Sequence, residues 1–460
     1  MTSTTQGRTR LAAALAALTV AVLGAGCTTP AQASTTTDGV QDAVLFWNEA
    51  AGRAATAACI APFDNPLHES RMYAMTHLAI HDALNAIDRR YDAYASRPPV
   101  DPMVSPAAAV VGAASAVLTA AIGQIPAPFT QDCRNAGVAS VEYDLAQAMA
   151  GLPASPATTR GLDLGRSTAA AVLAARTGDG SDTPLIVSDF PQGSAPGAWR
   201  FTPDRPFAFA PKWGEVRPFA LRSTGQFRSG TPLALTSQQY AWDLAEVRTY
   251  GSDRTPSAQA HVRSSWQTEV ALFWWQSSPL AWNAIGRDLA RLRGLDGHDT
   301  ARLFALLNMA LADGYVGSFA QKYDDLFWRP VTAIRLADTD GNPDTTADPT
   351  WNPLQVTPPI PEHDSAHAVE GGAAAGVLRT VLGTDQVAFS ACSVTLPQGK
   401  CGELGEIRHQ FTSLTQAATE NSESRIWIGF HFRHAVEEGQ AHGVKIGRWT
   451  AEHSLLAVRH

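Results

Sequence analysis

Pro361-Glu362-His363-Asp364-Ser365-Ala366-His367 is the stretch on which the reading of this chain turns, and two segments flank it with matching chemistry. Upstream, Lys322 is followed after six residues by Arg329-Pro330. Downstream, Ser424-Arg425 is followed after five residues by His431. Within them Lys322, Arg329, Arg425, Ser365, His367 and His431 make a lysine, two arginines, a serine and two histidines. Guanidinium forks give permanently charged bidentate donors, and lysine adds a point charge, so the set suits a tetrahedral or trigonal oxyanion. The histidines can donate protons, act as nucleophiles or bind a metal. A helix beginning near Ser365 would also aim free backbone N–H groups at that anion.

The rest of the composition fits a local basic pocket in an acidic protein. The chain has 460 residues, 17% of them charged, with a net charge of −8. That length allows a large core or two fused bundles, since domains commonly hold ~100–200 residues. No run of lysine and arginine stands out, which excludes nucleic acid as a partner bound through a basic footprint.

The N-terminus reads as an export signal over residues 1–33. Arg8 and Arg10 precede the apolar run Leu11–Ala25, and Ala31-Gln32-Ala33 offers a cleavage site. A secreted protein follows. The alternative is a lipid anchor at Cys27, within Leu23-Gly24-Ala25-Gly26-Cys27, holding the protein to the outer face of the membrane. With Cys27 set aside, Cys59, Cys133, Cys392 and Cys401 remain, an even set that suits an oxidising compartment. Three pairings are open to four cysteines. We favour Cys392 with Cys401, across the Pro- and Gly-containing loop between them, and Cys59 with Cys133.

Helical periodicity dominates the mature chain. Val40–Tyr94 carries apolar residues at three- and four-residue spacings, as in Met72, Met75, Leu78, Ala79 and Ala83. Ala107–Ile122 reads as a buried core helix, and Cys133–Ala150 and Thr158–Thr177 follow. Residues 183–236 change character: proline, glycine and aromatics make an ordered loop that wraps the helices or walls a substrate entrance. Helical signals resume over Ser237–Gly251, His261–Trp275, Pro279–Arg293 and Thr300–Lys322. The last ones cover Val369–Leu382, His409–Arg425 and Arg433–Leu456. His77 and His81, four apart on one face, read as helix histidines rather than metal ligands, because no glutamate follows the first. Asp338–Asp344 reads as a polar turn: its Gly341 stands at the fourth position, where a calcium loop of the EF-hand type needs glycine at the sixth.

The three segments in this order resemble the vanadium-dependent haloperoxidases and type 2 phosphatidic acid phosphatases, in the soluble bacterial haloperoxidase-like branch. The family pattern is Lys-x6-Arg-Pro, then Pro-Ser-Gly-His, then Ser-Arg-x5-His-x3-Asp. Phe327–Arg335 and Thr357–Glu362 extend the likeness beyond the motifs. The resemblance implies an all-α fold of two packed helical bundles, an N-terminal one over 40–299 with the long loop and a C-terminal one over 300–460 that carries the oxyanion site. It implies a haloperoxidase that oxidises halide with hydrogen peroxide on vanadate. The alternative is an acid phosphatase acting on a phosphomonoester through a phosphohistidine, or a catalytically weakened member.

The roles it implies are these. Lys322, Arg329 and Arg425 hold the anion's equatorial oxygens, with Ser365 and the Ala366 N–H adding hydrogen bonds. His431 binds vanadium or attacks phosphorus, and His367 moves protons. Three positions depart from the pattern. Ala366 adds a methyl where glycine is usual. Asp364 replaces proline, and as a helix N-cap its carboxylate would compete with the anion for the same N–H groups. Ala435 replaces the aspartate that would orient His431. That leaves Glu437 and His434 as the nearest substitutes and implies weaker vanadate binding and slower phosphoryl transfer.

Overall fold

Helix-start chemistry recurs along the chain. Asn65, Ser105, Thr130, Ser155 and Ser237 each cap a helix by accepting a backbone N–H three residues on. Proline stands in the first turn of several of these helices, where its missing N–H costs nothing. A computed structural model describes residues 39–96, 98, 103–253 and 262–458. The export signal and Cys27, the site of the alternative lipid anchor, lie outside the described residues.

The architecture is all-α. Helices α1 (Gly39–Ala57), α2 (Pro66–Ile87), α3 (Pro106–Gly123), α4 (Gln131–Ala150) and α5 (Pro156–Ala175) form the N-terminal part. A short two-stranded contact, β1 (Ile186–Val187) with β2 (Ala208–Phe209), interrupts the long loop. Then come α6 (Gln238–Tyr250), α7 (Ser265–Phe273), α8 (Ser278–Leu292), α9 (Gly297–Asp325) and α10 (Pro330–Arg335). The chain closes with α11 (Ala366–Leu382), a hairpin of β3 (Gln386–Cys392) and β4 (Arg408–Ser413), α12 (Leu414–Trp427) and α13 (Arg433–His453).

Helix α9 is the axis. It is buried on almost every face and packs against α1, α2, α8, α11 and α13. By length and apolarity α3 and α9 could each cross a membrane, but α9 hides 94% of its apolar window inside the chain, as a core helix does. One continuous apolar core runs from α1–α3 through α8 and α9 to α11 and α12, so the N- and C-terminal helices share this wall. Helix α13 lies directly on α11. A Cβ at Gly443 or Gly447 would fall inside contact distance of the Val369 or Ala373 carbonyl, so only glycine lets the two backbones approach this closely.

The long loop wraps. Asp313 of α9 accepts three backbone N–H groups from it, at Phe219, Ala220 and Leu221 (2.6, 2.7 and 2.9 Å). Trp199 and Trp213 are buried, and no residue of 183–236 lines the main cavity, so this loop does not wall the entrance.

Two expectations need correction. The helical run read over Val40–Tyr94 is broken at 58–65, where the chain turns between α1 and α2. The helix expected over His409–Arg425 begins only at Leu414, and 408–413 is strand instead. Its side chains alternate outward and inward, with His409, Phe411 and Ser413 buried, a period of two that a helix cannot satisfy. His77 bonds Asn48, and His81 bonds Asp82, which also caps Tyr94 and Ala95; no group of three or more metal-ligating side chains occurs among the described residues.

Both favoured disulfides form: Cys59 with Cys133 across 74 residues, and Cys392 with Cys401 across 9. Loop-closure entropy gives the long bridge about 4.5 kcal/mol and the short one about 2.5 kcal/mol. Urea unfolding of Cys59→Ser/Cys133→Ser and Cys392→Ser/Cys401→Ser variants should show the first pair losing more stability.

Candidate active site

The site is assembled where α10, α11 and the turn after α12 meet. Arg329 is the N-cap of α10, with Pro330 next to it. Ser365 is the N-cap of α11, and its hydroxyl makes no capping bond. Arg425 lies in the last turn of α12. The chain then reverses through Gly429 at φ +89°, hard against Gly251 and Pro353, so only glycine fits. That turn delivers His431.

A cavity of about 100 Å³ opens there. Arg329, His367, Arg425, His431 and Ala366 form its floor, and Pro62, Phe63, Trp275, Pro358, Ile360 and Phe430 its walls. Phe63 and Trp275 pack ring to ring at 4.4 Å at the mouth.

The floor is a set of buried cationic donors with bonds to spare. Arg329 spends Nε on the Ile360 carbonyl (2.7 Å) and Nη1 on the Phe430 carbonyl and His431 Nε2 (both 2.9 Å). Arg425 spends Nε on Ser424 Oγ (3.1 Å). Arg329 Nη2, Arg425 Nη2 and Ser365 Oγ are buried with no hydrogen-bond partner. Unpartnered buried donors are rare in folded proteins; the two arginines line this cavity and Ser365 precedes its lining residue Ala366, so the set suits a bound acceptor. An oxyanion such as vanadate or phosphate fits this set. Burial lowers Arg425 to about 9 and Arg329 to about 10, and the two guanidiniums also repel each other's charge at Arg425. A bound anion would relieve that stress.

His431 is held in one tautomer. Its Nδ1 lies 3.0 Å from Glu362 Oε1. An ionised carboxylate only accepts, so Nδ1 carries the proton and the Nε2 lone pair faces Arg329 and the cavity. Burial and the surrounding cations Arg329, Lys322 and Arg425 press the ring well below the ordinary histidine range, so it stays neutral. Glu362 also accepts the Phe432 N–H at 3.0 Å. The orienting carboxylate therefore comes from the residue five before His367, not from Glu437 or His434. Glu437 pairs with Arg433, and His434 bonds the Thr231 carbonyl. Glu362 stood in the central stretch, but no spacing rule connects it to a histidine 69 residues later.

Two other residues behave differently from their expected roles. Lys322 reaches the same loop, but its Nζ donates to the carbonyls of Pro361 (3.1 Å), Glu362 (3.0 Å) and Asp364, which commits all three of its N–H bonds. Burial first, then Arg329, brings it down to about 7. Asp364 does not compete for the N-terminus of α11. Its carboxylate turns the other way, to Ser318 of α9 (2.7 Å) and His442 of α13 (2.8 Å). It thus ties the loop to two helices where the family pattern has proline. His367 donates Nε2–H to the Gln276 carbonyl (3.2 Å), and burial and Arg425 bring it to about 3, so it is neutral. Ala366 has helical backbone at the head of α11, and its methyl sits at the cavity floor. The wall residues Pro62, Phe63 and Trp275 carry no motif and were not legible as site residues.

Residues 302–459 match the family model described as the VCPO second helical-bundle domain. That match spans the C-terminal helices, from within α9 through α13, and supports the likeness to the vanadium haloperoxidases. Vanadium chloroperoxidase of Curvularia inaequalis is 29% identical over a match that covers 37% of this chain; the chain spans about a third of that relative's length, 36%. The fold of the first bacterial vanadium-dependent iodoperoxidase superposes with a TM-score of 0.72 at 23% identity, covering 92% of this chain and 98% of that one. A holo-type bacterial vanadium-dependent chloroperoxidase superposes with a TM-score of 0.66 at 16% identity, covering 88% and 95%. These haloperoxidase structures share the all-α bundle fold with this chain.

Two outcomes are expected of this site. Since Glu362 already orients His431, Ala435→Asp should bring no gain in orthovanadate affinity, and Glu362→Ala should lose ~10–100-fold, both read by titration. Burial pushes the Asp364 carboxyl up, but the His442 hydrogen bond and charge outweigh it and hold it at about 2. That lies below the unfolded value near ~3.9, so the tie stabilises the fold above about pH 4 and fades as pH falls towards 2. Asp364→Asn should cost about 3 kcal/mol at pH 7 and flatten the acid limb of a stability–pH curve.

Proposed function

We propose that this protein is a vanadate-dependent haloperoxidase that oxidises halide with hydrogen peroxide, working outside the cytoplasm. One observation carries the reading: Arg329 and Arg425, each with a buried unpartnered guanidinium nitrogen, line one cavity with a neutral, carboxylate-oriented histidine. Arg329, Arg425, Ser365 and the first N–H groups of α11 would hold the oxygens of vanadate, and His431 Nε2 would bind the metal. Vanadate, once bound, supplies Lewis-acid activation of peroxide. Glu362 keeps the proton on Nδ1, so the lone pair stays on Nε2. His367, with Nε2–H given to a carbonyl, offers Nδ1 as a proton acceptor in the cavity.

The walls favour peroxidase over phosphatase chemistry. Pro62, Phe63, Trp275, Ile360 and Phe430 make an apolar mouth around a small cavity. Stripping water from a doubly charged phosphomonoester there costs far more than from a large, weakly hydrated halide. Export is supported by the two disulfides, which persist in oxidising compartments. The chain's match to a family of enzymes supports catalysis rather than passive anion binding.

The test loads the protein with orthovanadate and supplies peroxide with bromide or iodide, beside a generic phosphomonoester. We expect vanadate-dependent halide oxidation that phosphate suppresses by competition. Arg425→Ala, which removes one donor aimed at developing charge, should lower the rate about 100-fold or more. Phosphomonoester hydrolysis without halide oxidation would overturn the reading.

A further inference from the structure

The role given to His367 depends on which ring nitrogen holds its proton, and a backbone carbonyl makes that choice. His367 Nε2 lies 3.2 Å from the Gln276 carbonyl. Gln276 sits in the short segment 274–277 that joins α7 to α8, and Trp275 beside it walls the cavity. A segment this short takes its position from its two ends. At the far end the Ser277 N–H donates to the Pro62 carbonyl at 2.7 Å, beside the wall residue Phe63.

At the near end α7 stops, and the last carbonyls of a helix lack partners within it. Two hydroxyls from the loop after β3 reach them. Ser393 Oγ donates to the Phe273 carbonyl and Thr395 Oγ1 to the Leu272 carbonyl, both at 2.7 Å. The Val394 N–H between them reaches Gln276 Oε1 at 3.4 Å. Capping α7 needs only the first two bonds; the third carries the grip on to the residue that holds His367. The loop is closed at this same point. Cys392 precedes Ser393 and is bridged to Cys401, whose N–H donates to the Ser393 carbonyl at 3.0 Å. On β4, the His409 ring stacks on Phe273 with centroids 3.9 Å apart.

The backbone of His367 is fixed separately, by Asn421 Nδ2 on its carbonyl at 2.8 Å. Its ring is neutral, through burial first and then Arg425, so either nitrogen could carry the proton. A carbonyl held at Nε2 selects the Nε2–H form and leaves the lone pair on Nδ1. A carbonyl free to swing would let both forms coexist.

We propose that Ser393 and Thr395 are positioning residues: by gripping the end of α7 they hold the Gln276 carbonyl against His367 and keep its proton on Nε2. The kinetic consequence rests on the haloperoxidase reading; the tautomer does not. Neither residue touches substrate or a reacting atom.

The test reads the tautomer by nitrogen NMR of vanadate-free protein carrying isotope-labelled histidine, with the His367 signals assigned by their loss in His367→Gln. The wild type should show the Nε2–H form alone. Ser393→Ala and Thr395→Val should each show a mixture of the two neutral forms, and Thr395→Ser, which keeps the hydroxyl, should match the wild type. In the vanadate-loaded enzyme the first two variants should lower kcat ~10-fold and leave the halide KM within about twofold, as loss of an orienting bond does. Ser393 is wholly buried, so where Ser393→Ala fails to fold, Thr395→Val at its half-buried position decides. A wild type with Nδ1–H or mixed forms overturns the inference. So do folded variants that keep Nε2–H alone, or that lose it at unchanged kcat. A wild type that oxidises no halide overturns the haloperoxidase reading, while the tautomer still reports on the grip of Ser393 and Thr395.

Discussion

A carboxylate, an imidazole and a guanidinium lie in one hydrogen-bonded line: Glu362 accepts from His431 Nδ1, and His431 Nε2 accepts from Arg329. Everything else at the site depends on that line. It fixes which nitrogen holds the proton, and it does so with a charge that a carbonyl could not supply. It also sets one buried anion against several buried cations, so the floor keeps a positive excess without a fully uncompensated interior. Burial, first, and the cations around it drive His431 well below its ordinary range, which favours the neutral ring that can accept from Arg329.

The line holds only because the loop that carries Glu362 is anchored from three sides. Lys322 fastens the carbonyls of Pro361, Glu362 and Asp364 to α9. The Asp364 carboxylate reaches Ser318 and His442, so α9 and α13 both grip it. The Ser365 N–H donates to the Ala435 carbonyl at 3.0 Å, which ties the head of α11 to α13. The glycines of α13 matter here at a distance. They let it press against α11 closely enough for His442 and Ala435 to meet this loop. Asp364 and Ala435, which break the family pattern, thus take part in the same anchoring.

Much of this was legible in the sequence, for physical reasons that can be named. Motif spacing placed Arg329, His367, Arg425 and His431 on one cavity because each sits at or near a helix end, where local sequence sets direction. The even cysteine set and the loop after Cys392 gave both disulfides. What escaped was long-range. The partner of His431 comes from 69 residues away, and the partner of Asp364 from 78. Such pairs leave no periodic trace. The β3–β4 hairpin escaped because its alternation was short and ran into a helix, and Phe63 and Trp275 because wall residues carry no motif of their own.

The central claim is that a neutral His431, oriented by Glu362, presents Nε2 to an oxyanion held by Arg329, Arg425 and Ser365. A crystal structure of the protein soaked with orthovanadate tests it most directly. Vanadium is expected beside His431 Nε2, its oxygens bonded to Nη2 of both arginines and to Ser365 Oγ, with Glu362 still on Nδ1. Vanadate bound elsewhere, or at His431 with Glu362 swung away from Nδ1, would contradict it.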